Sequence, residues 1–259
     1  MLRQGRFKTV FGGNIGNAIT GEMDKVGSSH CIVVEVSSFQ LESIRDFKPH
    51  IASILNITPD HLDRYHSFDE YREAKQRIFL NQTEGDFLVL NHDDPETMKA
   101  LYSNIRTRVF FFSRIGEVKG IYLHGGIVMA NIDKPFGLIW ASEIKIKGVH
   151  NLENAMAASA MALLAGVKPE AVRKTLMEFP GLEHRLEFVR ELDGVKYYND
   201  SKGTNVGAVI KSLEGFKEPV ILIAGGRDKA GDFSLLKPLV KEKVRVLVLI
   251  GEAKEKMNS

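Results

Sequence analysis

The stretch Cys31–Ile57, CIVVEVSSFQLESIRDFKPHIASILNI, sets the first expectation for the fold. It opens with the apolar run CIVVEV at Cys31–Val36 and closes with ASILNI at Ala52–Ile57. Fully apolar runs of this length are typical of strands that are buried on both faces of a parallel sheet. Two similar runs follow at Phe87–Leu90 and Arg108–Phe112. The first part of the chain is therefore predicted to form a mostly parallel sheet.

Helical patterns lie between and after these strands. The segment Ser67–Asn81, SFDEYREAKQRIFLN, begins with Ser67 and Glu70 at the spacing of a capping box. The Ala-rich segment Asn151–Leu164 ends just before Gly166, which is a helix stop signal. Strands that alternate with helices indicate right-handed crossovers. The predicted fold class is α/β with a doubly wound, mostly parallel central sheet.

A second domain is predicted after a Pro-Gly pair in EFPGLE, Glu178–Glu183, which is a plausible hinge. This gives a central domain at residues 1–179 and a smaller domain at 180–259. The second domain has a hairpin signal at Asp193-Gly194, followed by apolar strands at Val220–Ala224 and Val244–Ile250. A doubly wound sheet has about 5 or 6 strands, and only two apolar strands are predicted here after the hairpin. We therefore expect this domain to be a partial, Rossmann-like α/β unit.

Composition narrows the class of partner. The 35 Lys and Arg against 33 Asp and Glu leave a net charge of +2, which is too small to indicate nucleic acid or an anionic membrane as partner. The single cysteine, Cys31, excludes an intrachain disulfide and is predicted to be a buried thiol. No apolar run approaches the roughly 20 residues of a membrane-spanning helix, and the first residues contain no signal-peptide core. We expect a cytoplasmic protein that acts on small molecules.

Acidic and imidazole side chains follow the first two predicted strands. Glu35 lies inside the apolar run at Cys31–Val36, so it needs an ion pair, a metal ion, or a position at the carboxyl end of the strand, where ligands gather in open α/β sheets. Asp60, His61 and Asp63 lie in the segment NITPDHLD, residues 56–63, which follows the second strand and is predicted at the same carboxyl-end edge of the sheet as Glu35. Oxygen ligands with an imidazole can hold Mg²⁺. For Glu35, the alternative is a salt bridge to a helix lysine. For His61, the alternative is an ordinary position on the surface.

Lys75 is the unusual residue of the capped helix. It shares a helix face with four apolar side chains, Phe68, Tyr71, Ile78 and Phe79. An inward amine would lose solvation, which lowers its pKa and makes a Schiff base or a carbamate with CO₂ feasible. Alternatively, the aliphatic stem packs on apolar surface while the amine reaches water.

Glycine-rich and polar segments are weaker signals for a phosphate site. GGNIG at Gly12–Gly16 and GGRD at Gly225–Asp228 could each be a tight turn or an anion cradle. The sequence has no Gly-Lys dipeptide, so it contains no P-loop motif. EHRL at Glu183–Leu186 and YNDSKGTN at Tyr198–Asn205 suit either a phosphate-rich ligand or polar turns.

Eight ordered blocks of the sequence resemble the Mur ligase family. They are GGNIGN (Gly12–Asn17), EVSSFQLE (Glu35–Glu42), LNITPDHLDRY (Leu55–Tyr65), YREAK (Tyr71–Lys75), GVHNLENAMAA (Gly148–Ala158), GLEHRLE (Gly181–Glu187), YNDSKGTN (Tyr198–Asn205) and AGGRDK (Ala224–Lys229). SSFQLE is the most discriminating, because it resembles the members that add D-glutamate. Ligases for other amino acids and folylpolyglutamate synthases resemble it less there.

This resemblance implies an ATP-dependent amide ligase that joins D-glutamate to UDP-N-acetylmuramoyl-L-alanine through an acyl phosphate in peptidoglycan synthesis. It implies ATP and two Mg²⁺ ions as cofactors and a monomeric full-length protein. Glu35 and His61 would bind Mg²⁺, and Lys75 would be carbamylated. The other residues that the resemblance assigns are Asn14 and Ser37 near the muramoyl substrate, Lys202, Thr204 and Lys229 toward phosphate or D-glutamate, and Asn151, Asn154, Arg185 and Asp200 near ATP.

The chain also departs from the family pattern. Family members carry a uridine-binding domain and a P-loop before the matched region, and a closing segment after it. We therefore expect a ligase truncated at both ends, without activity of its own and poorly soluble because of an unpaired sheet edge. A non-catalytic module that binds a nucleotide or an amino acid, and another amide ligase of the superfamily, are the alternatives.

Overall fold

A computed structural model describes residues 1–14, 16–61, 64–102, 105–227 and 231–258. The chain divides into two compact units, each described here by itself. The first comprises Met1–Lys145 with Glu153–Phe179, and the second comprises Ile146–Leu152 with Pro180–Ser259. The division into domains at 1–179 and 180–259 stays a prediction.

The main sheet of the first unit has six strands in the order β3-β4-β5-β6-β7-β8. The strands are β3 Ile51–Ile54, β4 Phe87–Asn91, β5 Arg108–Ser113, β6 Gly120–His124, β7 Ile127–Asn131 and β8 Pro135–Trp140. The strands from β3 to β6 pair in parallel; this was predicted for β3, β4 and β5, whereas β6 was not predicted. The pairs β6-β7 and β7-β8 are antiparallel and were not predicted. Gly125 and Gly126 both have positive φ and make the two-residue turn between β6 and β7.

The first two strands form a sheet of their own, which corrects the expectation of one continuous sheet. β1 Lys8–Gly13 and β2 His30–Glu35 pair in parallel. Burial on both faces is wrong for β2, because Ile32 is 41% and Val33 43% exposed. Cys31 is only half-buried.

The helices of the two units agree with the sequence patterns more closely than the sheets do. They are α1 Ser38–Glu42, α2 Phe68–Gln76, α3 Pro95–Met98, α4 Val149–Leu164, α5 Pro169–Glu178, α6 Val206–Glu214, α7 Lys237–Lys243 and α8 Lys254–Asn258. Helix α2 is shorter than predicted, because it tightens into a 3-10 turn at Arg77–Phe79. Among the described residues, no helix is both long enough and apolar enough to cross a bilayer.

The apolar face of α2 packs on the core of the first unit. Tyr71 and Phe79 belong to a buried cluster with Leu88 and Leu90 of β4, both fully buried. Full burial of side chains of this size stabilises the fold by about 1.5–3 kcal/mol each. This packing fixes the rotation of α2 about its axis, and with it the direction of the remaining side chains of the helix.

The start of α2 forms half of the predicted capping box. The Ser67 hydroxyl accepts a hydrogen bond from the Glu70 amide at 3.1 Å. The Glu70 carboxylate accepts from the His66 amide at 2.8 Å rather than from the amide of Ser67. One of the free amides of the first turn is therefore satisfied by Ser67 alone.

Replacing Ser67 by alanine is expected to lower the free energy of unfolding by about 1 kcal/mol, because the Glu70 amide loses its acceptor. Urea denaturation measures the change. Ser29→Ala is the matched control, since Ser29 is exposed and lies in no helix, and it is expected to leave stability within about 0.5 kcal/mol of the parent. Equal stabilities of the two variants would contradict the capping role.

The second unit contains the predicted hairpin. β9 Glu187–Leu192 and β10 Val195–Asn199 are antiparallel, and the turn residues Asp193 and Gly194 both have positive φ. This is the backbone that a two-residue hairpin of this type requires. β11 Val220–Gly225 and β12 Val244–Ile250 form a separate parallel pair, at the predicted positions.

Candidate functional site

The ends of β1 and β2 bring Asn14 to Glu35. The Asn14 amide donates to the Glu35 carbonyl at 2.8 Å, and its side-chain Nδ2 donates to Glu35 Oε1 at 3.3 Å. Glu35 is exposed at the carboxyl end of β2. Of the alternatives for this carboxylate, the structure has the position at the carboxyl end of the strand, not a buried carboxylate with a partner. Its accessibility leaves it open to a ligand.

Ser37 begins helix α1. Its hydroxyl accepts from the Gln40 amide at 3.3 Å, and the Gln40 side chain accepts in return from the Ser37 amide at 2.9 Å. This reciprocal capping box was not predicted from the sequence. It gives Ser37 a structural role in addition to its predicted place near the muramoyl substrate.

Asp60 and His61 lie in the loop after β3. The His61 amide donates to Asp60 Oδ1 at 2.9 Å, and the His61 ring Nε2 is 3.9 Å from Asp60 Oδ2. His61 has a φ of 55°, in the left-handed region that costs a non-glycine residue of order 1 kcal/mol. The surrounding contacts must therefore hold this backbone. Asp63, which was predicted at the same sheet edge, lies outside the described residues.

Aromatic rings hold the imidazole of His61. The Phe39 ring meets it edge-on with centroids 4.9 Å apart, and the Tyr71 ring lies 6.3 Å away. Phe39 comes from α1 and Tyr71 from α2, so two elements fix the ring of a loop residue. Neither residue was predicted to lie at the site, although Phe39 is in the SSFQLE segment.

Lys75 is half-buried beside these groups. Its Nζ lies 4.9 Å from the centroid of the Tyr71 ring. Loss of solvation lowers the pKa of the Lys75 amine, while the nearby charges of Asp60 and Glu35 act in the opposite direction. Burial, together with the charge of Asp60, raises the pKa of Tyr71 to about 12. The Lys75 amine and the His61 ring therefore share Tyr71 as a neighbour, and the charges of Asp60 and Glu35 act on that amine.

The donor types in this set suit a hard divalent cation. Glu35 and Asp60 supply carboxylate oxygens and His61 supplies an imidazole, and Mg²⁺ accepts such ligands together with water. Within the described residues, no three His, Cys, Asp or Glu side chains are arranged to hold a metal ion by themselves. A protonated Lys75 among these carboxylates would repel a cation.

A second polar set lies in the second unit, around Asp200. Asp200 Oδ1 accepts from the Leu186 amide at 2.9 Å, and Oδ2 accepts from the Ser212 hydroxyl. The Lys202 amide donates to the His184 carbonyl at 3.0 Å. Asp200 thus ties the segment before β9 to the turn after β10. The exposed side chains on these two segments are Arg185, Lys202 and Thr204.

Helix α4 begins earlier than predicted. It begins at Val149, two residues before the predicted start at Asn151, so Asn151 lies inside the helix. The Asn151 side chain donates to the Lys147 carbonyl at 2.8 Å, whereas a capping side chain would accept. Asn154 is exposed, and the neighbouring Glu153 pairs with Arg114 at 2.7 Å.

The two glycine-rich segments end strands. A Cβ on Gly13 would lie 2.3 Å from the Glu35 carbonyl oxygen, and one on Gly225 would lie 1.8 Å from the Ile250 carbonyl oxygen. Both positions have positive φ. Close strand approach therefore explains these glycines without a phosphate. Lys229, predicted toward phosphate or D-glutamate, lies outside the described residues.

Two family models account for most of the chain. Residues 16–162 match the Mur ligase middle domain, and residues 184–259 match the Mur ligase, glutamate ligase domain. The chain belongs to the Mur ligase family. The α/β fold class and the family predicted from the sequence are confirmed.

Among curated relatives, several named UDP-N-acetylmuramoylalanine--D-glutamate ligase are similar. The one from Pelotomaculum thermopropionicum is 46% identical over 255 residues, covering 98% of this chain and 56% of the relative. The one from Geotalea daltonii is 49% identical over 253 residues, covering 97% and 56%. The chain thus spans about half the length of the curated relatives it matches.

Solved structures show the same fold at low sequence identity. MurF from Acinetobacter baumannii gives a TM-score of 0.70 at 20% identity, over 95% of this chain and 58% of that one. A pseudomurein peptide ligase type C from Methanothermus fervidus gives 0.72 at 17% identity, over 99% and 61%. These matches bear on the fold alone.

Proposed function

We propose that these 259 residues are part of a cytoplasmic, ATP-dependent ligase that adds D-glutamate to UDP-N-acetylmuramoyl-L-alanine. One observation carries this proposal. The Lys75 amine and the His61 ring both lie against the Tyr71 ring, at 4.9 and 6.3 Å, in a chain 46% identical to a relative named for that reaction. The residue types suit phosphoryl transfer, in which positioning and charge neutralisation dominate.

In this reaction the γ-phosphoryl group of ATP passes to the substrate carboxylate. The amine of D-glutamate then attacks the acyl phosphate, and phosphate leaves. Mg²⁺, when bound, neutralises charge on the phosphate oxygens. Glu35 and His61 would hold Mg²⁺. Asn14 orients the Glu35 carboxylate by its hydrogen bond of 3.3 Å, while Phe39 orients the His61 ring.

Lys75 would act as a carbamate. Its neutral amine adds to CO₂ and loses a proton, which replaces a cation by an anionic oxygen ligand. Burial supports this step, because it raises the neutral fraction of the amine at a given pH. The change of sign would also remove the repulsion between Lys75 and a cation held by Glu35.

The remaining assignments rest on the family resemblance and on exposure. Arg185, Asp200, Asn151 and Asn154 would face ATP. Arg185 is exposed, and Asp200 holds the backbone beside it through Leu186. Lys202, Thr204 and Lys229 would face phosphate or D-glutamate, and Asn14 and Ser37 the muramoyl substrate. The full-length protein would act as a monomer.

A chimera tests the function directly. The 259 residues replace the matching region of the Pelotomaculum thermopropionicum ligase, and phosphate release is measured with ATP, UDP-N-acetylmuramoyl-L-alanine and one amino acid at a time. We expect turnover with D-glutamate and a loss of at least about 100-fold in the Glu35→Ala chimera, because a charge-stabilising ligand is removed. Glu191→Ala, an exposed position on β9, is the control and should leave turnover unchanged.

Two results would contradict the proposal. A folded chimera that turns over another amino acid faster than D-glutamate would favour a different amide ligase, and one that binds ATP without any turnover would favour a binding module. The 259-residue chain alone is expected to be inactive, because it has no Gly-Lys dipeptide with which to form a P-loop. Turnover by the chain alone would contradict that expectation.

A further inference from the structure

We infer that Asn91, the last residue of β4, and Asp94, which caps α3, are positioning residues that fix the loop carrying Asp60 and His61. The consequence for catalysis rests on the proposed function. The mechanical claim, that these two side chains restrain residues 55–61, stands on contacts within the first unit.

Each side chain makes one hydrogen bond across to the other loop. Asp94 Oδ2 accepts from the Ile57 amide at 2.9 Å. Asn91 Nδ2 donates to the Leu55 carbonyl at 3.0 Å. The Ile57 side chain is buried, at 2% exposure, so this contact is shielded from competing water. The two bonds therefore hold the Leu55 carbonyl and the Ile57 amide, two residues apart in the segment that directly follows β3.

The supporting side of this contact is itself fixed. Thr97 is fully buried, and its hydroxyl donates to the Asn91 carbonyl at 2.7 Å. Its amide donates to Asp94 Oδ2 at 3.3 Å, which caps α3. Asn91 Oδ1 accepts from the Asp93 amide at 3.0 Å. The Asn91 and Asp94 side chains are therefore held in place before they reach the neighbouring loop.

The restraint extends to the candidate metal ligands. Only Thr58 and Pro59 separate Ile57 from Asp60, and the proline ring removes one backbone rotation. The His61 backbone then takes its left-handed conformation, at φ 55°. A conformation of this cost persists only where neighbouring contacts impose it. Release of Ile57 would remove the nearest such contact on the amino-terminal side.

Burial and hydrogen bonding shift the pKa of the Asp94 carboxyl in opposite directions. Loss of solvation raises the pKa of the Asp94 carboxyl, and the amides of Ile57 and Thr97 oppose that rise. The loop amide therefore stabilises the carboxylate, just as the carboxylate holds the loop. A substitution at Asp94 must separate this tether from the cap of α3.

Three variants together distinguish the contacts with residues 55–57 from the cap of α3. Asp94→Ser keeps a capping hydroxyl for the Thr97 amide, but its side chain is one atom shorter and does not reach the Ile57 amide. Asp94→Ala removes both contacts. Asn91→Asp replaces the donor to Leu55 by a carboxylate oxygen at a buried position and keeps the acceptor for the Asp93 amide. Hydrogen exchange of the backbone amides at 55–61, Mn²⁺ affinity by electron paramagnetic resonance in bicarbonate buffer, and thermal melting are measured on the 259-residue chain.

We expect faster exchange at 55–61 and roughly 10-fold weaker Mn²⁺ binding in Asp94→Ser and Asn91→Asp, the size of effect typical of groups that orient a metal ligand. Asp94→Ser leaves the shielded Ile57 amide without its acceptor, so it should melt below the parent protein. Asp94→Ala also loses the cap of α3 and should melt lower still, while binding Mn²⁺ as weakly as Asp94→Ser. Equal Mn²⁺ affinities at different melting temperatures separate positioning from general stability.

Unchanged exchange at 55–61 in both Asp94→Ser and Asn91→Asp would overturn the inference. Faster exchange with parent-like Mn²⁺ affinity would also overturn it, because the loop would then be tethered without consequence for the ligands. If the parent protein itself fails to bind Mn²⁺, the proposed metal site fails, and the exchange data alone still decide whether Asn91 and Asp94 restrain the loop.

Discussion

Adding bicarbonate is expected to reverse the order of Mn²⁺ affinity between the parent protein and the Lys75→Met variant. Without CO₂, the protonated amine of Lys75 in the parent repels Mn²⁺, so the variant should bind Mn²⁺ at least as tightly as the parent. With bicarbonate, the carbamate of the parent supplies an anionic oxygen, and the variant should bind roughly 10- to 100-fold more weakly than the parent. Met fits the site, because its flexible apolar side chain can pack against Tyr71.

The pH dependence has a defined direction. Only the neutral amine reacts with CO₂, and burial lowers the pKa of Lys75. The gain in affinity on adding bicarbonate should therefore increase with pH and set in at a lower pH than for an ordinary lysine.

Titrations with and without bicarbonate, followed by electron paramagnetic resonance, measure the effect, and intact-mass spectrometry detects the added CO₂. Lys174→Met is the matched control, because Lys174 lies on α5 with its side chain 56% exposed. It should keep the parent's response to bicarbonate. A parent protein whose Mn²⁺ affinity ignores bicarbonate would refute the carbamate.

The Asp86→Asn variant is expected to lose about 2 to 4 kcal/mol of unfolding free energy at neutral pH, because a buried carboxylate loses its charge-assisted bonds. Asp86 is 9% exposed and lies 3.1 Å from Lys48 Nζ. It also accepts from His50 at 3.1 Å and from the Thr83 amide at 2.8 Å. These groups join the turn before β4 to the segment that enters β3.

This loss should diminish in acid. Burial alone would raise the pKa of Asp86, but the hydrogen bonds from Thr83, His50 and Lys48 hold it well below its ordinary value of 3.8. A carboxyl with a lower pKa in the folded state stabilises the fold above the pKa of the unfolded state. That contribution disappears as pH falls from about 4 toward the folded-state pKa.

Urea denaturation at several pH values measures this difference. Asp46→Asn is the matched control, since Asp46 is 85% exposed beside Arg45, and it should change stability by less than about 0.5 kcal/mol. The difference in unfolding free energy between the parent and Asp86→Asn should stay roughly constant from about pH 6 to 8 and should decrease below about pH 4. A gap that widens in acid would refute the assigned role of Asp86.

Local patterns in the sequence predicted the elements whose formation depends on neighbouring residues. The cap at Ser67 and the Asp193-Gly194 hairpin are determined by contacts a few residues apart, and both are present. The inward face of α2 follows from periodicity, so the half-buried position of Lys75 could be anticipated. The Gly125-Gly126 pair indicates a two-residue hairpin turn, so the antiparallel pairing of β6 with β7 could also have been predicted from the sequence.

Features that depend on distant partners could not be obtained in this way. The pairing of β1 with β2 in a separate sheet depends on which strands meet, and it leaves Glu35 exposed where the run CIVVEV suggested burial. The left-handed backbone of His61 depends on contacts from other segments, and nothing in NITPDHLD encodes it. The links from Asn91 and Asp94 to residues 55–57 join segments more than thirty residues apart.

The tight packing of Gly225 against Ile250 affects how mutational screens of this chain should be interpreted. Any side chain at Gly225 would force β11 and β12 apart, because its first carbon would overlap a carbonyl oxygen. A variant at this position would therefore score as defective even if the residue never touches nucleotide. Depletion of Gly225 variants in a growth selection should be attributed to misfolding of the second unit, and assigned to ligand contact only after their solubility has been shown to equal that of the parent.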